Sequence, residues 1–136
     1  MALSTLERVF FLKGVLLFKP IPGEQIARFA PILKEVPFSQ GETFIQRDEV
    51  GECLYIVVEG EVEVRRDENL FSVKLTEAIG ERAVLTETPR RADYTAKTEI
   101  VALRISKDDF WELMREQPGL TIKVMRVVFD HYVSAE

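Results

Sequence analysis

Apolar positions change their period twice along the chain. Leu3, Leu6, Val9 and Phe10 recur at helical spacing, which predicts a first helix on one apolar stripe, closed by Gly14. After the turn Pro20-Ile21-Pro22-Gly23, a second helix places Ile26, Phe29, Ala30 and Leu33 on one face. The period then falls to two. Val36 and Phe38, then Phe44 and Ile45 after Gly41, open a series of short runs. Leu54, Ile56 and Val58 alternate with Tyr55, Val57 and Glu59; Val62 and Val64 alternate with Glu61, Glu63 and Arg65. Phe71, Val73 and Leu75 repeat the pattern, as do Val101, Leu103 and Ile105. Gly41, Gly51, Gly60 and the Asp67-Glu68-Asn69 turn separate these runs, which predicts a β-sandwich or β-roll. Past Ser106, a fitting N-cap, helical spacing returns with Phe110, Leu113 and Met114 and stops near Pro118-Gly119. The last segment, Leu120 to Tyr132, carries apolar residues on more than one face, as a helix does when it packs on two sides.

Composition narrows the class. A chain of 136 residues, 46% hydrophobic and 30% charged, suits one globular domain and excludes a disordered or collagen-like segment. Its net charge of -5 argues against direct nucleic-acid binding, which needs a basic face to displace counterions. The single cysteine, Cys53, forms no internal disulfide and reads as a small buried hydrophobe; the single histidine, His131, leaves no imidazole set for a zinc or non-haem iron site. No apolar run reaches bilayer length, since Lys13 and Gly14 interrupt Val9 to Phe18, and no signal-peptide pattern opens the chain. The expected compartment is the cytoplasm, without membrane insertion.

One connection has an unusual composition. From Ile79 to Ala92 the chain reads Ile-Gly-Glu-Arg-Ala-Val-Leu-Thr-Glu-Thr-Pro-Arg-Arg-Ala. Gly80 allows close backbone approach, and Glu81 to Leu85 forms a short helical run whose first amides can face an anion. Pro89 stiffens the return and biases Thr88 to an extended conformation. Arg90 then brings a planar, permanently charged fork suited to phosphate, and Glu81 a carboxylate that accepts from a hydroxyl. Together they suit a phosphorylated sugar. Taken alone, the two residues also fit an ion pair bracing a surface loop.

Gly80-Glu81-x-Ala83-x-Leu85 followed by Pro89-Arg90-x-Ala92 resembles the phosphate-binding cassette of the cyclic nucleotide-binding domain family. Gly41-Glu42, Gly51-Glu52-x-Leu54-Tyr55-x-Val57 and Glu59-Gly60-Glu61-Val62 are similar to the spaced landmarks of that family's β-roll. The resemblance implies a mainly β fold with flanking helices: an eight-stranded antiparallel β-roll of the jelly-roll or cupin-like type. It implies one domain over 1–136, with N-terminal helices in 1–34, the roll in 35–106, the cassette in 79–92 and two C-terminal helices in 107–136. It further implies a cyclic nucleotide as ligand, cAMP more than cGMP, with no metal or covalent cofactor and no catalysis. Glu81 falls on the ribose 2′-hydroxyl and Arg90 on the cyclic phosphate; Gly80, Arg82, Ala83, Arg91 and Ala92 fall around them. Val128, Phe129 and Tyr132 fall where a lid covers the purine. The pattern departs from the family at Arg82, usually apolar, at Asp93, usually Thr or Ser, and at Asp48 and Glu87, both often glycine.

Those departures define the competing expectation, a domain of the same fold that binds no nucleotide and serves as an interaction or dimerisation module. A cupin-like metalloenzyme shares the roll but needs several histidines. A transcription factor of the catabolite-activator type would add a helix-turn-helix unit, whereas about thirty residues follow the last strand here. The expected partners are a cyclic nucleotide and either a second copy through the last helix or a fused effector domain.

Overall fold

The structure is a computed structural model that describes residues 3–15, 18–73, 78–79 and 89–129. Helix α1, Thr5–Lys13, begins with a reciprocal cap: the Glu7 amide donates to Ser4 Oγ at 3.1 Å, and the Ser4 amide donates to Glu7 Oε1 at 3.0 Å. Gly14 closes it, as expected. The expected apolar stripe holds only in part: Leu3 and Val9 pack against the core. Leu6 and Phe10 are exposed, and Leu12 is the buried residue of the helix. Arg8 sets the phase, donating from Nη1 to the carbonyls of Ala30 at 2.8 Å and Leu33 at 2.5 Å, with Glu35 at 3.5 Å. Residues four apart share a helix face, so an inward Arg8 carries Leu12 inward with it. Helix α2, Gly23–Phe29, continues into a 3-10 turn at Ala30–Ile32, which contains Pro31. Ile26, Phe29, Ala30 and Leu33 are all buried, as the spacing predicts.

Eight strands follow among the described residues: β1 Lys34–Phe38, β2 Thr43–Ile45, β3 Cys53–Glu59, β4 Val62–Arg66, β5 Asn69–Val73, β6 Ala78–Ile79, β7 Asp93–Ala96 and β8 Ile100–Ser106. They pair antiparallel as β1 with β8, β2 with β7, β3 with β6 and β4 with β5, the nested scheme of one long ribbon rolled on itself. Further pairings of β3 with β8 and β4 with β7 complete two four-stranded sheets, ordered β1-β8-β3-β6 and β2-β7-β4-β5. This is the mainly antiparallel β-roll with flanking helices that the pattern predicts. Two features differ in detail. Leu70 and Phe71 are both exposed on β5, although period two puts Phe71 inside. The short strand β6 lies where the cassette was expected to begin, held to β3 through Ile79 opposite Tyr55.

Helix α3, Lys107–Glu116, starts at Ser106, whose hydroxyl accepts from the Asp109 amide at 3.1 Å. Helix α4, Pro118–Val128, follows α3 after one intervening residue, Gln117, and Thr121 Oγ1 fastens the joint by donating to the Met114 carbonyl at 2.6 Å. No helix among the described residues is long and apolar enough to cross a membrane.

Strand β3 divides the interior. Leu54, Ile56 and Val58 pack with Leu103, Ile105, Phe110, Leu120 and Val124 in a core between the first sheet and the helices. Tyr55 and Val57 pack on the other side with Ile45, Val62, Val64, Ala92, Ala96 and Ala102, inside the roll. Burial on both faces gives β3 its nearly unbroken apolar run.

Candidate ligand-binding site

The chain enters β7 through Pro89, Arg90, Arg91 and Ala92. Arg90 and Ala92 are buried, at 8% and 4% exposure, while Arg91 between them is exposed. Side chains in extended chain alternate between faces, so the inward Ala92 and Ala96 put Arg90 on the roll side and Arg91 on the solvent side. The β2–β3 connection clamps this arginine by its backbone. The Asp48 amide donates to the Arg90 carbonyl at 2.9 Å, the Arg90 amide donates to the Glu49 carbonyl at 2.8 Å, and Val50 bridges Pro89. Asp48 has φ of 71°, a left-handed conformation that aspartate tolerates better than most residues. It therefore fills the place of the usual glycine without breaking the clamp.

The Arg90 guanidinium donates from Nη2 to the Cys53 carbonyl at 2.5 Å. Burial pulls its pKa below the ordinary arginine value, opposed by the nearby Tyr55, Cys53 and Tyr94. The same burial pushes the Tyr55 hydroxyl and the Cys53 thiol up, against the cationic pull of Arg104 and Arg90. A raised thiol pKa keeps Cys53 protonated, which is unlike a nucleophile. Cys53 is half-buried, less enclosed than the sequence reading has it. Phe38, Phe44 and Tyr55 form an aromatic cluster on the same side of the roll, with ring centroids 4.5 to 5.8 Å apart.

A groove of about 330 Å³ opens beside Arg90, lined by Arg47, Asp48, Arg66, Asp67, Pro89, Arg90 and Arg91. Four arginines and two aspartates line it. Arg47 pairs with Asp67 at 2.9 Å, and its amide donates to Asp93 Oδ1 at 2.8 Å. Asp93, a departure from the family pattern, is thereby occupied with a loop amide. On a chain of net charge -5 this is a local reversal of sign, suited to an anion. No group of residues fit to hold a metal ion occurs among the described residues.

The structure thus brings together Arg90, Arg91 and Ala92 of the expected site. Gly80, Glu81, Arg82 and Ala83 lie outside the described residues, as does Tyr132. Val128 closes α4, and Phe129 just beyond it is exposed, lining a shallow groove with Thr121, Ile122, Met125 and Arg126. Sequence reasoning passed over Arg47 and Arg66 of the groove and Arg104 near Tyr55. A signal for two of them was present. Arg66 is in period-two phase with Val62 and Val64, and Arg104 with Ala102 and Ile100.

Comparison with known proteins agrees with this geometry. The chain is 31% identical over 107 residues to a cAMP-dependent protein kinase regulatory subunit of Emericella nidulans, covering 76% of this chain and 26% of that one. It is 26% identical over 118 residues to a CRP-like cAMP-activated global transcriptional regulator of Mycobacterium tuberculosis, covering 82% and 53%. The chain therefore spans from about a quarter to about half the length of these relatives. The N-terminal domain of a transcriptional regulator from Streptomyces coelicolor A3(2) superposes with a TM-score of 0.83 at 28% identity, over 93% of this chain and 94% of that one. These relatives are regulatory proteins, and the family model named cyclic nucleotide-binding domain matches residues 35–117. With its nested ribbon and its clamped arginine, the chain belongs to the cyclic nucleotide-binding domain family, whose ligand is a cyclic nucleotide.

Proposed function

We propose that this domain is a cAMP-preferring sensor that reports ligand occupancy to a partner or a fused effector domain. The observation that carries the reading is Arg90, held by two backbone hydrogen bonds at the wall of an arginine-lined groove. In this reading Arg90 takes the cyclic phosphate, and Glu81 takes the ribose 2′-hydroxyl. Gly80, Arg82 and Ala83 supply backbone around the phosphate, while Arg91 and Ala92 flank the arginine. Val128, Phe129 and Tyr132 close over the purine. The preference for cAMP is supported by the names of the relatives, which are cAMP-dependent and cAMP-activated proteins. Signalling requires that ligand bind one arrangement of the last helices better than another. The joint at Gln117, between α3 and α4, is the natural place for that change.

Calorimetric titration of the purified chain with cAMP and with cGMP tests the reading. Saturable one-to-one binding, tighter for cAMP, is expected. Millimolar or absent binding of both nucleotides defeats it. A second reading, a domain without ligand that serves as an interaction or dimerisation module, is favoured by the exposed apolar row Ile122, Met125 and Phe129. That reading predicts a stable dimer whose melting temperature ignores both nucleotides.

A further inference from the structure

Arg104 lies on β8 directly opposite Tyr55 of β3, in a stretch of regular antiparallel pairing. Opposed residues of an antiparallel pair project to the same face, and Tyr55 belongs to the roll interior. Ala102, two residues before Arg104, is in the same interior cluster. Arg90 reaches the same place from the other direction, through its bond to the Cys53 carbonyl two residues before Tyr55. Two guanidiniums from distant parts of the chain therefore converge on the Cys53–Tyr55 stretch of one strand. Arg104 forms no salt bridge among the described residues, and its charge falls on Tyr55 and Cys53.

We infer that Arg104 is a positioning residue of the anion site: it holds the Tyr55 hydroxyl beside Arg90 and adds its charge to the field an anion meets there. The inference rests on the nucleotide reading for the identity of the anion. A ligand phosphate that approaches Arg90 relieves the repulsion between two like charges as well as meeting one of them. A single arginine at this wall would give the anion only the second gain. Arg104 acts through the field and through Tyr55, without a contact to the ligand.

Four proteins decide the matter: wild type, Arg104→Gln, Arg104→Lys and Tyr55→Phe, each confirmed as folded by its circular dichroism. Titrated with cAMP, Arg104→Gln is expected to bind about 5- to 10-fold more weakly than wild type, with a shallower salt dependence, as expected for a lost field charge. Arg104→Lys keeps the charge and recovers most of the affinity. The tyrosine absorbance titration provides a readout without ligand. Of the three tyrosines, Tyr55, Tyr94 and Tyr132, the one lost in Tyr55→Phe titrates higher in Arg104→Gln, because a nearby cation is gone. Unchanged affinity and salt slope in Arg104→Gln, with wild type binding normally, overturn the inference alone. An unmoved Tyr55 midpoint does the same. If wild type binds no cyclic nucleotide, the nucleotide reading fails and the ligand half of the inference fails with it.

Discussion

The two sides of β3 are built from different materials. On the helix side, Leu54, Ile56, Leu103, Ile105, Phe110 and Val124 form a core of aliphatic and aromatic side chains with no ionisable member. On the roll side, small residues (Ala92, Ala96 and Ala102) stand beside Tyr55, with Arg90 among the buried groups. A protein interior gains most from large, apolar, well-packed groups, and the helix side follows that rule. The roll side gives up packing volume to alanine and accepts the cost of a desolvated guanidinium. In the proposed reading, stability and binding capacity are thus placed on opposite faces of one strand.

This division is open to attack by substitution. The largest expected effect is on the helix side. Phe110→Ala removes a fully buried ring and should cost about 3 to 5 kcal/mol, while the folded fraction keeps its nucleotide affinity. Chemical denaturation together with titration of the folded protein reads both. On the roll side the opposite result is expected. Arg90→Ala should weaken cAMP binding at least about 100-fold, as loss of a buried charged partner does. Its cost in stability should be only about 1 kcal/mol, from the Cys53 carbonyl left without its donor. Equal losses of folding and affinity in both variants would break the comparison.

Gly60 tests the joint between the two sheets, because it turns β3 into β4. It has φ of 97°, and a Cβ added there would stand 2.5 Å from the Glu99 carbonyl oxygen. Gly60→Ala should therefore cost about 2 kcal/mol and lower thermal stability and ligand capacity together. The smallest expected effect is pH-dependent and confined to the roll side. Burial raises the Cys53 and Tyr55 pKa values in the folded state. Above the ordinary thiol and phenol values, the unfolded chain therefore releases these protons first, and stability falls as pH rises towards the folded values. Below those values the effect is absent. Urea midpoints measured from neutral to alkaline pH should show the decline, and Tyr55→Phe should lessen it.

Much of this was legible in the sequence, and the reasons differ by residue. The roll could be read because period-two runs and turn residues are local signals, and the Ser106 cap and the Gly14 stop are equally local. The phase of α1 was legible only in part. Leu6 and Phe10 look like core residues until Arg8 finds three acceptors on a segment more than twenty residues away. Arg90 drew notice through its spacing from Glu81 and its place in a recognisable cassette, and the structure turns it inward while Arg91 stays exposed. The groove arginines and Arg104 were harder. Their relation to Arg90 depends on which strands become neighbours, a property of the rolled ribbon that no local window contains.

Because β3 has no wet face, its odd and even side chains answer to different neighbours through one shared backbone. Any tug that shifts Cys53 or Tyr55 by a fraction of an ångström must also shift Leu54 and Ile56, which lean on the helices. In the proposed sensor reading, word of a bound nucleotide has only the thickness of a single strand to cross.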